Sequence, residues 1–174
     1  MLVARVIASH DSRAYGELIR RHQSQVRNFL RRLTRDDSLA DDLAQDAFMH
    51  AWDKIHTYAG KGSFIGWLLK VAYTTFLQSK RKTDRYDEIL KSVGEHGGSV
   101  NYPEQSEEIS DLEKFLAVLN EQERAVMIMS YSCGLSHREI SDATGQPAGT
   151  VKSLISRSKD KIRKHFEIEH RQYG

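Results

Sequence analysis

Cysteine is almost absent from this chain of 174 residues, since Cys133 is the only one. A single thiol cannot form an intramolecular disulfide, so the fold does not require an oxidising compartment. Cys133 lies in an apolar run before a turn, where a buried small side chain is the expected role. The eight histidines lack the spacing of zinc ligands, so we predict no metal site and no cofactor.

Long apolar runs are also missing. No stretch approaches the roughly 20 apolar residues that a membrane-spanning helix needs, and the N-terminal segment lacks the apolar run of a signal peptide. We therefore expect a cytoplasmic protein that does not insert into membranes. Strict alternation of apolar and polar residues is missing as well, which disfavours strands and predicts an all-α fold.

Charge is nearly balanced overall but unevenly distributed, with a net value of +2. Between Asp84 and Glu113 there are nine acidic residues against two basic ones, so this stretch carries −7 and the rest of the chain carries +9. Glycine, serine and a proline accompany the carboxylates, a composition typical of a solvated flexible linker. A basic body with an acidic linker favours a polyanionic partner.

The predicted linker, residues 84–108, separates two small helical domains, 1–83 and 109–174. In the first domain, apolar residues from Leu18 to Leu33 recur at helical spacing. A second helix is expected to be capped by Ser38, and a third is expected to begin near Ser63 and to end in a basic tail. The buried stripe predicted for the second helix consists of Leu39, Leu43, Ala47, Phe48, Ala51, Trp52 and Ile55.

The second domain carries the pattern of a helix-turn-helix. Gly134 marks a tight turn, Ser136 can cap the next helix, and Glu139 stands three residues later to complete a capping box. A second turn at residues 144–147 leads to a long helix, which we expect to pack through Val151, Ile162 and either Leu154 or Ile155. In such a motif the second helix enters the major groove of duplex DNA.

The long C-terminal helix is basic on its polar side. Between Lys152 and Lys164 there are six basic residues and one acid, Asp160, which favours contacts with DNA phosphates. Thr150, Ser153 and Arg157 add polar groups near its start. The alternative is a solvated amphipathic helix that contacts no ligand.

Aromatic side chains alternate with cations around the third helix of the first domain. Such a pattern can stack unpaired bases and hold a single-stranded backbone, although aromatics at helical spacing are also typical of a core. The second helix carries an acidic face that includes Asp41 and Asp42, which we expect to contact a protein. Because no nucleophile, base or phosphate loop accompanies it, the chain is not expected to be an enzyme. The aromatic and cationic residues are Phe64, Trp67, Lys70, Tyr73, Phe76, Lys80, Arg81 and Lys82.

These segments, in this order, resemble the extracytoplasmic-function (ECF) sigma factors, which direct bacterial RNA polymerase to promoters. The run DDLAQDAF at 41–48, followed by Ala51 and Trp52, is similar to region 2.2 of that family. The run FIGWLLKVA at 64–72 is similar to the region that follows, and GTVKS at 149–153 resembles the start of the region 4 recognition helix. The resemblance covers about residues 11–167.

The resemblance implies three binding surfaces, of which the first would bind core RNA polymerase through Asp41, Asp42, Gln45, Asp46, Phe48, Trp52 and Asp53. The second would recognise and melt the −10 promoter element through Tyr58, Lys61, Ser63, Phe64, Trp67, Lys70, Tyr73, Thr74, Gln78, Lys80 and Arg81. The third would read the −35 element as duplex through Ser136, His137, Arg138, Thr150, Lys152, Ser153, Arg157 and Lys161. An anti-sigma factor is a further expected partner, and catalysis would belong to the polymerase.

Several positions depart from the usual family pattern. Thr74 stands where asparagine is frequent, Leu154 where arginine is frequent, and Ser158 where alanine is frequent. These departures predict an atypical promoter or weaker DNA binding. Two other functions fit the same sequence: a conventional DNA-binding regulator that uses the C-terminal domain alone, and an adaptor that kept the fold but lost promoter opening.

Overall fold

The computed structural model describes residues 2–92 and 111–173, and these ranges contain helices and turns but no strand. The all-α prediction is therefore confirmed. A 3₁₀ turn, Ile55–Thr57, follows the third helix, and a π-helical turn, Ile128–Ser132, follows the sixth. The α-helices of the described ranges are α1 Leu2–Ser9, α2 Ser12–Thr34, α3 Asp37–Lys54, α4 Phe64–Ser92, α5 Asp111–Ala117, α6 Glu121–Met127, α7 His137–Thr144 and α8 Ala148–Tyr173.

Aspartates cap α2 and α3, and the predicted Ser38 does not cap α3. The Asp11 carboxylate accepts the N–H groups of Arg13 and Ala14 at the start of α2. At the start of α3, Asp36 has extended backbone angles and accepts the N–H of Leu39, which is the geometry of an N-cap. The prediction of Ser38 as the cap is wrong because Ser38 already lies inside the first turn.

The buried stripe predicted for α3 is largely confirmed. Ala47, Ala51 and Ile55 are fully buried, and Leu43 is nearly so. Phe48 and Trp52 are only half-buried, and Leu39 departs most from the prediction, since 40% of it is exposed. It lies in the first turn of α3, where it does not contribute to the buried face.

Helix α4 is longer than predicted. We expected it to end at about residue 83, where the linker 84–108 was to begin, but it continues through Ser92. No glycine or proline interrupts residues 67–92, and Gly94 is the first helix breaker that follows. The acidic residues at 84–88 therefore belong to a helix. The remaining part of the predicted linker, 93–108, lies outside the described residues.

The helix-turn-helix of the second domain is confirmed. Ser136 caps α7 and forms a reciprocal capping box with Glu139. Gly145 ends α7 with a φ of 72°, a left-handed conformation that glycine adopts at little cost. Helix α8 then packs through Val151, Leu154 and Ile155, all of which are buried. The choice between Leu154 and Ile155 is thus resolved, because both face inward.

The two domains share one apolar core. A single cluster of buried residues extends from Phe29 on α2 and Phe76 on α4 to Met129, Ile140 and Val151 in the second domain. Polar contacts accompany this packing on both sides. We call the contact formed by these polar groups the domain seam; its pairs are Ser63 with Glu139, Lys80 with Glu121, and the Leu33 carbonyl with Arg124.

Candidate functional site

A groove of about 660 Å³ runs between α2 and α3. Six of the seven residues predicted to bind polymerase line it, because their spacing along α3 places them on one face. The seventh, Asp46, is exposed on α3 but does not line the groove. The six lining residues are Asp41, Asp42, Gln45, Phe48, Trp52 and Asp53.

The floor of the groove is aromatic. The ring of Tyr15 on α2 lies 4.9 Å from that of Trp52, and the Tyr15 hydroxyl donates a hydrogen bond to the carbonyl of Phe48. Burial, assisted by the negative charge of Asp53, raises the pKa of Tyr15 well above its usual value. Tyr15 therefore remains a neutral donor that ties α2 to α3 beneath the acidic rim.

Sequence reasoning missed the contribution of α2 and one residue of α3. Ile19 and Gln23 line the groove from the α2 side, and Met49 lines it from α3 with 61% of its surface exposed. An exposed methionine beside an acidic rim offers an adaptable apolar contact. The sequence could have indicated Met49 as a groove residue, since it lies four residues after Gln45 on the same helical face. The contribution of Ile19 and Gln23 could not be predicted, because it depends on how α2 packs against α3.

Several residues predicted to bind the −10 element gather around the loop between α3 and α4, residues 58–63. The rings of Tyr58, Phe64 and Trp67 form a cluster with centroids 5.6 to 5.8 Å apart. The Tyr58 hydroxyl donates to the carbonyl of Gly62 at 3.0 Å, which braces the loop. Lys61 and Lys70 are exposed beside the cluster, so cations and aromatic faces meet as a single-strand binder requires.

The first helix of the helix-turn-helix lies against this loop. A small cavity of about 180 Å³ is lined on one side by Tyr58, Ser63 and Trp67, and on the other by Glu139 and Asp142 of α7. Ser63 donates both its N–H, at 3.1 Å, and its hydroxyl to the Oε1 atom of Glu139. The predicted −10 surface is therefore partly covered by the second domain.

Glu139 accepts hydrogen bonds on both of its oxygens. Oε1 faces Ser63, whereas Oε2 accepts the N–H of Ser136 at 2.9 Å and its hydroxyl at 2.8 Å. The bond from the Ser63 side chain, followed by those from Ser136, lowers the pKa of Glu139 to about 2. Sequence reasoning identified the cap but could not show the second partner, which lies 76 positions away in the chain.

Three other predicted −10 residues make contacts within the chain. Tyr73 is buried against Phe29 and Phe76, and burial raises its pKa. Lys80 pairs with Glu121. Thr74 turns its hydroxyl back to the carbonyl of Lys70 at 2.8 Å. The ring of Tyr73 fills the core in this arrangement, and its contact with DNA stays a prediction. Gln78 and Arg81 are exposed farther along α4.

The predicted −35 surface is open. His137 and Arg138 at the start of α7, and Lys152, Ser153 and Arg157 on α8, are exposed. Ser136 caps α7, and Thr150 is half-buried. Lys161 differs from the rest, because its ammonium is held 2.9 Å from Glu123 on α6.

Burial acts to raise the pKa of Glu123, but its hydrogen bonds with Lys161 and the Asn120 N–H outweigh that effect and lower the pKa. The charged Glu123 and Lys161 therefore connect α6 to α8. This pairing assigns Lys161 a structural role in addition to the predicted contact with DNA.

The described part of the chain offers neither a metal site nor a membrane span. Within 2–92 and 111–173, no group of histidine, cysteine, aspartate and glutamate side chains is arranged to hold a metal ion. No helix in the same ranges is both long and apolar enough to cross a membrane. Burial raises the pKa of Cys133 to about 11, as expected for a packed thiol.

A helix-turn-helix joined to a second helical domain is the architecture of a DNA-binding protein, and the acidic groove is a separate surface of that second domain. Family models agree with this architecture. Residues 18–86 match the model described as Sigma-70 region 2, and residues 109–162 match the model described as Sigma-70, region 4.

Similar proteins cover nearly the whole chain. The ECF RNA polymerase sigma factor RpoE of Cereibacter sphaeroides is 30% identical over 167 residues, which is 93% of this chain and 92% of the relative. The RNA polymerase sigma factor YlaC of Bacillus subtilis is 28% identical, with 86% of this chain and 90% of the relative covered. The chain belongs to the ECF sigma factors of RNA polymerase: it recognises promoters for transcription initiation and is not an enzyme.

Solved structures agree in fold. The sigma factor RpoE from Bartonella quintana, solved in complex with the anti-sigma factor NepR, has a TM-score of 0.71 and 25% identity, with 88% of this chain and 97% of that chain covered. CnrH, solved in complex with the cytosolic domain of CnrY, has a TM-score of 0.69 and 18% identity, with 96% of both chains covered. The latter likeness shows the fold alone.

Proposed function

We propose that the promoter-recognising activity of this chain is divided among three surfaces: the α2–α3 groove binds core RNA polymerase, the 58–63 loop with the start of α4 binds the melted −10 element, and α7 with α8 binds the −35 duplex. The observation that carries the proposal is the groove, in which six predicted residues converge on an aromatic floor. The domains that we expect to perform these tasks are residues 1–83, from which α4 continues through Ser92, and residues 109–174.

The chemistry of the groove supports a basic amphipathic helix as its occupant. Asp42 and Asp53 are exposed on its rim, while Met49 and the half-buried Trp52 offer apolar surface between them. Opposite charges would steer and orient the partner, whereas the apolar contacts would hold it. Asp41 contributes less charge, because Arg27 already binds it at 3.0 Å.

Two substitutions test the groove. Asp42→Lys and Met49→Lys should each abolish retention of the full chain on immobilised core polymerase, because they place a cation against a basic partner. Gln25→Lys is the matched control, since Gln25 is exposed on α2 and does not line the groove. The assignment fails if the groove variants fold normally by circular dichroism and are retained as well as the control.

The two proposed DNA-binding surfaces differ in chemistry, so each needs its own experiment. The 58–63 loop combines rings with Lys61 and Lys70, which suits an unpaired strand, whereas α8 presents Lys152 and Arg157 for phosphates and base edges of a duplex. Permanganate footprinting of holoenzyme should show melting at −10 that is lost in Trp67→Ala, while Arg157→Ala should weaken binding of the duplex −35 half alone.

An anti-sigma factor is the partner we propose for regulation. The Bartonella relative, which has the same fold over 88% of this chain, was solved with such a partner. An anti-sigma factor that covers the groove would prevent polymerase binding. Co-expression of the chain with a candidate anti-sigma factor encoded beside it should therefore lower transcription from the promoters that the chain recognises. Since the protein works on RNA polymerase, we place it in the cytoplasm.

Transcript sequencing tests the proposal as a whole. Overexpression of the chain should induce transcripts that share an upstream motif with two separated elements, and purified holoenzyme should initiate from those promoters. If core polymerase fails to retain the chain, or if holoenzyme initiates from none of the induced promoters, the division of surfaces proposed here is wrong.

A further inference from the structure

The α1–α2 corner, residues 9–11, contains a backbone conformation that a residue with a side chain adopts infrequently. His10 has a φ of 49°, which lies in the left-handed region where a Cβ atom is crowded. Its N–H donates to the carbonyl of Val6 at 2.9 Å and so ends α1. Glycine occupies such a helix end at little cost. The backbone alone would therefore favour glycine at residue 10, and the histidine side chain requires a separate explanation.

The imidazole of His10 contacts a ring of the α2–α3 groove. Its centroid lies 5.0 Å from that of Trp52, and the two planes meet at 79°, which is an edge-to-face contact. Tyr15 contacts the same indole at 4.9 Å with an angle of 56°. Trp52 is half-buried and lines the groove, whereas His10 is exposed and does not line it. His10 can therefore affect the groove through the indole.

We propose that His10 is a positioning residue of the groove, because it holds the indole of Trp52 in the orientation in which that ring meets polymerase. The proposal rests on the polymerase-binding role proposed for the groove. A side chain that is already oriented loses less conformational freedom on binding, so it contributes more affinity. A left-handed backbone at His10 persists only where the surrounding structure enforces it, and the ring contact is the return for that strain.

The α1–α2 corner is fixed from two sides, which keeps His10 in place. The Arg5 guanidinium binds the carboxylate of Asp11, and the same carboxylate caps the start of α2. On the other side, Val6 of α1 is fully buried in a small apolar cluster, against which Trp52 also packs. The imidazole and the indole are therefore attached to one packed unit. The buried members of that cluster are Val6, Ala14, Leu18 and Ile55.

His10→Gly separates the backbone from the ring. Glycine keeps the left-handed conformation at lower cost but removes the imidazole. The affinity of the full chain for immobilised core polymerase should fall about 2- to 10-fold, because Trp52 must then be ordered during binding. The midpoint of urea unfolding should stay close to that of wild type, since relief of the backbone strain offsets the lost ring contact.

Arg35→Gly is the matched control. Among the residues that the structure describes, Arg35 is the other non-glycine residue with a left-handed φ, 61°. Its N–H ends α2 as that of His10 ends α1, but Arg35 does not line the groove. The substitution therefore relieves the same kind of strain, and it should leave the affinity for polymerase unchanged.

His10→Phe is the rescue variant. A phenyl ring can restore the edge-to-face contact with Trp52, whereas the strained backbone stays. Its affinity for core polymerase should return to within about twofold of wild type, although the variant is no more stable in urea. Affinity would then follow the ring and not the stability of the fold. If His10→Phe binds as weakly as His10→Gly, the ring contact does not matter and the proposal is overturned.

A double-mutant cycle shows whether His10 acts through Trp52. Trp52→Ala should weaken polymerase binding by itself. If His10 only orients the indole, His10→Gly should cause no further loss in the Trp52→Ala background. A direct contact between His10 and polymerase would instead give additive losses, which would overturn the positioning role.

Fluorescence of Trp52 reports its orientation in the absence of polymerase. Trp67→Phe leaves Trp52 as the only tryptophan of the chain. In that background, time-resolved anisotropy should show a larger fast component in His10→Gly, because the indole gains freedom, and His10→Phe should restore the smaller one. Equal decays with and without the ring at residue 10 would show that Tyr15 alone orients the indole, contrary to the proposal.

The outcomes separate this proposal from the polymerase-binding role of the groove. If Trp52→Ala weakens polymerase binding while His10→Gly does not, the positioning role is wrong and the groove assignment stands. If Trp52→Ala and Asp42→Lys both bind polymerase as tightly as wild type, the groove assignment is wrong and the role of His10 falls with it. Weak binding by His10→Gly alone, together with normal binding by His10→Phe and Arg35→Gly, is the result expected.

Discussion

Leu154 offers a sharp test of how the recognition helix is oriented. Only 8% of Leu154 is exposed, although it follows the GTVKS motif at a position where a cation is frequent in the family. Replacing it with alanine removes three carbon atoms from the buried face of α8. Replacing a fully buried leucine with alanine lowers the unfolding free energy by about 2–5 kcal/mol. Because Leu154 keeps some exposed surface, we expect a loss in the lower part of that range, about 2–3 kcal/mol.

Urea unfolding monitored by circular dichroism measures that loss, and fluorescence anisotropy with a −35 duplex measures binding by the folded protein. Leu154→Ala should lower the unfolding free energy while the affinity of the folded fraction stays within about twofold of wild type. Lys152→Ala is the matched control on the same helix. It should leave stability within about 0.5 kcal/mol but weaken binding and reduce the salt slope by about 1.

The reasoning about Leu154 is refuted if the pattern is reversed. Loss of DNA affinity without loss of stability in Leu154→Ala would mean that the side chain faces the groove of the DNA. Leu154→Arg sharpens the comparison, because a guanidinium at a buried site leaves an unpaired charge. Tighter DNA binding by that variant would show that α8 is rotated relative to the packing described above.

Buried or paired groups give three further predictions. The Ser158 hydroxyl is fully buried and has no hydrogen-bond partner among the described residues. In urea unfolding, Ser158→Ala should therefore raise the unfolding free energy by about 1 kcal/mol more than the exposed control Ser156→Ala does. An equal effect of the two substitutions would imply that a bound water satisfies the Ser158 hydroxyl. The Glu139 pKa, about 2, is below its usual value of 4.5, so its contribution is complete above pH 4.5 and is lost as the pH falls toward 2. The difference in thermal midpoint between wild type and Glu139→Gln should therefore narrow over that interval, and a constant difference would contradict the assigned hydrogen bonds. Since burial raises the pKa of Cys133 to about 11, the native thiol should react with Ellman's reagent at pH 8 about 100-fold more slowly than in urea, and equal rates would show that the thiol is exposed.

The helices were predictable because their signals are local. Apolar residues at helical spacing identified α2 and α3, and Ser136 with Glu139 identified the start of α7 three residues apart. The groove face of α3 was predictable for the same reason, since its residues lie on one helix. The cap of α3 was missed because Asp36, Asp37 and Ser38 are all good N-caps, and sequence alone cannot select among adjacent candidates.

Features that depend on packing between distant segments were not predictable. Tyr73 has the sequence environment of a DNA-stacking residue, but its position beside Phe29 depends on how α2 meets α4. Glu139 has an evident local role as a cap, and nothing in the sequence indicates its bond to Ser63. The end of α4 was misjudged because composition, rather than the positions of helix-breaking residues, set the predicted boundary.

The domain seam combines two kinds of contact that respond to different partners. We expect phosphates of a promoter strand to compete with the carboxylates of Glu139 and Glu121, but phosphates cannot replace the apolar cluster that both domains share. Exposing that cluster to water is unfavourable in proportion to its area, so DNA alone is not expected to separate the domains.

We expect core polymerase to be the partner that offsets that cost, by binding the two domains at separate sites. We therefore expect holoenzyme without DNA to show fast hydrogen exchange at Ser63, whereas the free chain mixed with the −10 strand stays protected. Protection that persists in holoenzyme until promoter DNA is added would show instead that the strand itself displaces Glu139, and that the apolar contact contributes little to keeping the domains together.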